Sequence, residues 1–237
     1  MALVVSSIAI GADQDSQPSQ ALPLSPARRA QMQHHFGQIS RILEAVIRGD
    51  LAAIPDPARE LSVIPPPSGM PPAAQPFIDF IRLEGRRAMS AATIDGAAEA
   101  TASVLTLCGD CHRTVGVSVA PVTTDRPDVG GIVGHMLEHQ DAVDAMVEGL
   151  ISPSVSQWRA GAVRLRAAPL QPDNLPSDPR LTGGLRRAEA RVHEIGQEAE
   201  VAETTTERTA AFGTLTATCS TCHSLHPRIW GPDSSGR

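Results

Sequence analysis

The chain contains no tyrosine, and its 237 residues include only two tryptophans and four phenylalanines. Rings alone therefore do not fill its interior, which leaves room for aliphatic side chains or a bulky cofactor to supply core area. Basic residues are not in excess: 20 Lys and Arg face 26 Asp and Glu, for a formal net charge of −6. That balance argues against nucleic acid as a partner and provides no basic patch for an anionic membrane. No run approaches the roughly 18 apolar residues that a transmembrane helix needs. No stretch alternates apolar and polar residues as a half-buried strand does, so the expected class is all-α. The first residues, Met1 to Ala12, form a short apolar run ending in small residues, like the core and cleavage site of an export signal. The basic segment that normally precedes such a run is missing, and a disordered N-terminus is the alternative reading.

Cysteine is also scarce, and its placement is the most informative feature of the chain. All four cysteines fall in two copies of one pattern, Cys108-Gly-Asp-Cys111-His112 and Cys219-Ser-Thr-Cys222-His223. This spacing is the attachment pattern for c-type haem: two thiols form thioethers to vinyl groups, and the histidine binds iron from one side. On a helix, residues three and four apart share a face, so Cys108, Cys111 and His112 present clamp and ligand together. The competing readings are structural zinc and a redox dithiol. Zinc wants its paired ligands close together, whereas these pairs stand 111 residues apart. A thioredoxin-like pair belongs beside a βαβ pattern, which is absent.

The chain also repeats itself. His35-Phe36 and Ala45-Val46-Ile47-Arg48-Gly49 answer His135-Met136 and Ala145-Met146-Val147-Glu148-Gly149 at an offset of 100, while the cysteine motifs repeat at 111. Ile39, Ile42, Leu43, Val46 and Ile47 make a helical stripe, introduced by Ser25-Pro26 and closed by Gly49. Met136, Val143, Met146, Val147 and Leu150 make a second. Val104, Leu107, Cys108 and Cys111 share one stripe before the first motif; Phe212, Leu215, Cys219 and Cys222 do so before the second. Further helices are expected near Asp50–Ile64, Pro76–Ala92, Pro153–Ala168 and Gly184–Glu203, with proline-rich loops at Pro65–Pro76 and Pro169–Pro179. The expected architecture is two tandem four-helix bundles, over residues 22–120 and 126–226, followed by a tail at 227–237. Only 14 residues follow His223, so walls for a haem there must come from helices upstream.

This arrangement resembles the class II c-type cytochromes, the cytochrome c prime family, on Cys108, Cys111, His112, Cys219, Cys222, His223 and the opening segment Met32-Gln-His-His-Phe-Gly37. The resemblance covers nearly the whole chain as a tandem pair. It implies two haem c groups, each held near the end of the last helix of a four-helix bundle, and an exported, periplasmic protein. It also implies an internal pseudo-dimer, since family members usually pair, and leaves further oligomerisation open. The family tends to place an arginine early in its first helix, near a haem propionate. Arg28 or Arg29 matches this in the first half, but Asp128 and Val129 stand at the offset positions in the second.

His112 and His223 are the expected proximal ligands. For the opposite iron face, His35 and His135 stand out because each precedes its glycine by 14 residues and leads an apolar stripe. Met32 and His139 are the alternatives for one half. Met70, in a proline-rich loop, is read as filler, and His193 and His226 as surface residues. Trp158 and Trp230 are read as packing residues. The functional expectation is an electron carrier rather than an enzyme, passing single electrons between redox partner proteins through six-coordinate haems. A gas-binding or sensing haem protein with an open distal face is the alternative. A peroxidase and a zinc-stabilised interaction protein rank lower.

Overall fold

The structure is a computed structural model and describes residues 25–67, 69–119, 129–167, 170 and 179–225. The segments 1–12 and 227–237, His226, Trp230 and Asp128 lie outside the described residues. Among the described residues the chain is all-α, with eight α-helices and no strand. They are α1 (Pro26–Arg48), α2 (Pro55–Ser62), α3 (Gln75–Met89), α4 (Ile94–Val115), α5 (Gly131–Ile151), α6 (Val155–Ala167), α7 (Pro179–Glu200) and α8 (Thr205–Leu225). None of the described helices is long and apolar enough to cross a membrane.

Local chemistry sets the helix ends. Ser25 caps α1 by accepting from the Arg28 N–H at 3.2 Å, and Pro26 follows where its missing donor costs nothing. Gly49 ends α1 at φ 70° and returns its N–H to the last turn. Thr93 caps α4 through the Gly96 N–H, and Thr204 caps α8 through the Glu207 N–H. The expected helix over Asp50–Ile64 is divided: a 3-10 turn, Leu51–Ala53, precedes α2, which starts at Pro55. Proline is tolerated in the first turn and not within a helix, so the break falls there.

One continuous core contains buried residues from all eight helices, among them Ile42, Leu61, Ile81, Leu105, Met146, Leu165, Ile195 and Leu215. Aliphatic side chains thus do what the missing rings do not. Trp158 is the largest buried side chain, and its Nε1–H donates to the Ala199 carbonyl at 2.7 Å, satisfying a carbonyl in the last turn of α7. The halves are interleaved. α1 packs on α8 as well as on α2 and α4, and α5 packs on α4 as well as on α6.

The helices that carry the cysteines, α4 and α8, pack directly on each other and run antiparallel. Thr106, late in α4, bonds Thr209, early in α8, at 2.6 Å between hydroxyl oxygens. Gly213, midway along α8, lies against Ala98 and Glu99, early in α4. The two cysteine motifs therefore sit at opposite ends of this pair, their centres separated along it by roughly 25 Å at 1.5 Å per residue.

Matching contacts recur in the two halves, at two spacings. Gly85 lies against the backbone of Ala58, and Gly196 against that of Ala162. The Ala53 N–H bonds Asp50, and the Gln157 N–H bonds Ser154. Positions in α1 and α2 thus correspond to those in α5 and α6 at an interval of 104, while α3 and α4 correspond to α7 and α8 at 111. The sequence expectation of 100 for the first helices is displaced by four residues, about one helical turn. A helix shifted by one turn shows nearly the same stripe, so apolar periodicity cannot separate the two registers. In the contact register His35 corresponds to His139, and His135 to Gln31.

Candidate haem sites and a histidine cluster

The first motif occupies the last turns of α4, which ends at Val115 before the left-handed cap Gly116. Cys111 is buried, and Cys108 packs against the main core. Cys111, Val115 and Ala74 form a small apolar cluster apart from that core, flanked by Met70, Phe77 and Val117. Met70, in the loop before Pro72, packs against this cluster. The second motif lies in the last two turns of α8 with Cys219, Cys222 and His223 half-buried.

No disulfide joins any of the four cysteines. Burial, and then the neighbouring Cys111, push the Cys108 thiol up to about 12. Cys219 is likewise pushed up to about 12 by burial and by Cys222, and Cys222 to about 11 by burial and the Glu189 charge. Burial also raises Cys111. Such thiols stay protonated at neutral pH, unlike the low-pKa cysteine of a redox dithiol. The pairs lie at opposite ends of the α4/α8 pair, so the four sulfurs do not converge as a four-cysteine zinc site requires.

Each motif histidine lies against the end of the opposite half's first helix. Nδ1 of His112 is 2.8 Å from the Ile151 carbonyl oxygen in the last turn of α5. A carbonyl only accepts, so Nδ1 carries the proton and the Nε2 lone pair is available to a metal. At His223 burial lowers the imidazole pKa, an effect partly offset by the Ile47 backbone in the last turn of α1. A metal-binding histidine characteristically donates its other ring N–H to a carbonyl, as His112 does. The residues present thus fit haem c at both motifs: two thiols on one helix face and an oriented imidazole adjoining them.

The candidate distal residues divide. His35, on α1, is buried, and burial followed by the charge of His34 lowers its pKa. Met32, one turn earlier, is half-buried. His135 is buried on α5, and His139 lies one turn further along with the two ring centroids 4.2 Å apart. Arg28 is half-buried beside Gly69, while Arg29 is exposed.

His135 and His139 do not stand alone. His135 Nε2 is 3.3 Å from Glu189 Oε2, and His139 Nε2 is 3.9 Å from Glu189 Oε1. His193, on the next turn of α7, places Nε2 3.0 Å from Glu189 Oε1, which also accepts from the Leu170 N–H at 3.2 Å. Burial disfavours the Glu189 carboxylate, but bonds from His135 and His193 and the charges of His135 and His139 outweigh it and hold its pKa below the ordinary value. Glu189 also acts electrostatically on Cys219 and Cys222 of the second motif, which lies on α8, the helix that α7 packs against. Sequence reading missed Glu189 and took His193 for a surface residue. The available signal was a pair of i, i+4 spacings, His135/His139 and Glu189/His193, each putting two ligand-type residues on one helix face.

In the contact register the first half has Gln31, His35, Ile78 and Arg82 at the positions of His135, His139, Glu189 and His193. The surroundings of the two motifs therefore differ, apolar at the first and rich in imidazole at the second. Comparison with protein-family models, with curated proteins and with solved structures found no match for this chain.

Proposed function

We propose that the chain is a duplicated dihaem c-type cytochrome that carries single electrons, built as two four-helix units whose first helices pack across the pair. The observation that carries this reading is the reciprocal placement of the motif histidines. The His112 ring is tied to the Ile151 carbonyl at the end of α5, and the backbone of Ile47, the matching position at the end of α1, acts on His223. Cys108 with Cys111, and Cys219 with Cys222, would tether the two porphyrins, with His112 and His223 as proximal iron ligands. When bound, haem supplies a one-electron couple whose potential is set by its axial ligands, nearby hydrogen bonds and burial.

The chain's own residues do the tuning. The Ile151 carbonyl fixes the His112 tautomer and makes the ring a stronger donor to a metal. Met70, Phe77, Val115 and Val117 keep the first site apolar. His35 is the sixth-ligand candidate there. In the second half one of His135 and His139 takes that role, and the contact register makes His139 the counterpart of His35. Unequal surroundings give the two sites unequal potentials, which sets a direction for an electron moving between redox partners. Thioether attachment of haem implies export, so the proposed location is the periplasm.

Visible spectra of the exported protein test this reading. The expected result is a sharp low-spin reduced spectrum that carbon monoxide does not alter. A broad high-spin spectrum at both haems, or a shift on adding carbon monoxide, would overturn the electron-carrier reading in favour of gas binding.

A further inference from the structure

We propose that α5 and α7 together form a binding site for a divalent transition-metal ion of the zinc class, made by His135, His139 and Glu189, with His193 bonded to the same carboxylate. This goes beyond the haem reading and does not rest on it. The donor atoms of His135, His139 and Glu189 all lie within 4.8 Å of one another. An ion with nitrogen and oxygen ligands at about 2.0 Å in tetrahedral geometry sets its donors about 3.3 Å apart. His135 Nε2 is 3.3 Å from Glu189 Oε2 and His139 Nε2 is 3.9 Å from Glu189 Oε1, at and a little above that edge.

The chemistry of the donors favours the same class of ion. Imidazole suits zinc, copper, nickel and iron, whereas calcium and magnesium take oxygen ligands. Three imidazoles converge on one carboxylate, more than a structural ion pair calls for. A cation entering the cluster would replace the protons now shared between rings and carboxylate, with its charge offset by Glu189. The two i, i+4 pairs come from different helices, the way helix bundles build metal sites between facing elements. All four groups are sheltered, with His135 and Glu189 at 4% and 13% side-chain exposure and His193, the most open, at 21%. If a haem iron took one of the three histidines, two imidazoles and a carboxylate would remain, the ligand set of a three-residue zinc site.

The test uses the full chain as purified from export, stripped with a chelator and titrated with zinc chloride in a calorimeter. One zinc per chain is expected, with affinity falling at least tenfold in H139A and in E189Q and unchanged in H34A, which removes an exposed histidine. No uptake by the wild type, or uptake that survives both substitutions, would overturn the site. If either variant does not fold, zinc-edge X-ray absorption of the wild type decides. A nitrogen and oxygen shell with imidazole scattering supports the site; sulfur donors place the ion on the cysteines and overturn it. Haem content, read from the absorption of the same sample, reports on the cytochrome reading separately.

Discussion

His112 reaches across the chain to Ile151, its Nδ1 2.8 Å from the carbonyl oxygen at the end of α5. The residue after the first cysteine pair is thus positioned by a helix from the other half. His112→Ala removes the donor and leaves a carbonyl without its partner, a loss of about 1–3 kcal/mol. Urea unfolding should show that decrease, with H34A, at an exposed position on α1, as the unaffected control.

Close packing between α4 and α5 gives a second prediction. Gly109 lies so near the Leu150 carbonyl that a β-carbon there has no room, whereas Gly37 on α1 has open space around it. Gly109→Ala should destabilise by about 1–3 kcal/mol through forced displacement of α5. Gly37→Ala should instead stabilise by up to about 1 kcal/mol, since alanine is the better helix former. Thermal melts of the two variants should move in opposite directions.

Trp158 supports the end of α7. Trp158→Phe keeps most of the buried ring but removes the Nε1 donor to Ala199. The Ala199 carbonyl still accepts from the Ala202 N–H at 3.3 Å, so losing the indole bond should cost about 0.5–1.5 kcal/mol. Chemical unfolding followed by circular dichroism measures it, and a variant as stable as the wild type would refute the role given to the indole.

The start of α8 carries a reciprocal cap: Glu207 accepts from the Glu203 and Thr204 N–H groups, and Thr204 accepts from the Glu207 N–H. Hydrogen bonds from the Thr204 backbone and side chain are the main cause holding Glu207 below its ordinary pKa of 4.5. The carboxylate is favoured in the folded chain, so its contribution is complete above that ordinary value and is lost as pH falls through the lowered one. Glu207→Gln should flatten this part of the acid limb in melting experiments. Thr204→Ala should cost about 1 kcal/mol at neutral pH.

Much of this was legible in the sequence. The stripe around Ile39, Ile42 and Val46 and the caps Ser25 and Gly49 placed α1 closely, because capping and periodicity are local properties. The register between halves was not legible. The Ala-x-x-x-Gly run at 45–49 matches one at 145–149, but the contacts match Ile47 with Ile151, one turn further on. Local pattern repeats every turn, and only long-range contacts such as Ala58 with Gly85 and Ala162 with Gly196 fix the alignment. The interleaving of α1 with α8 and α5 with α4 was hidden for the same reason. Glu189 was missed, and His193 was read as a surface residue, because each belongs to a charged helix face until α5 is placed opposite.

The most direct test is intact-mass and peptide analysis of the protein purified from an export-competent host with haem-attachment machinery. The dihaem account predicts two porphyrin adducts, one bridging Cys108 and Cys111 and the other bridging Cys219 and Cys222. Four unmodified thiols in correctly folded, exported protein would contradict it.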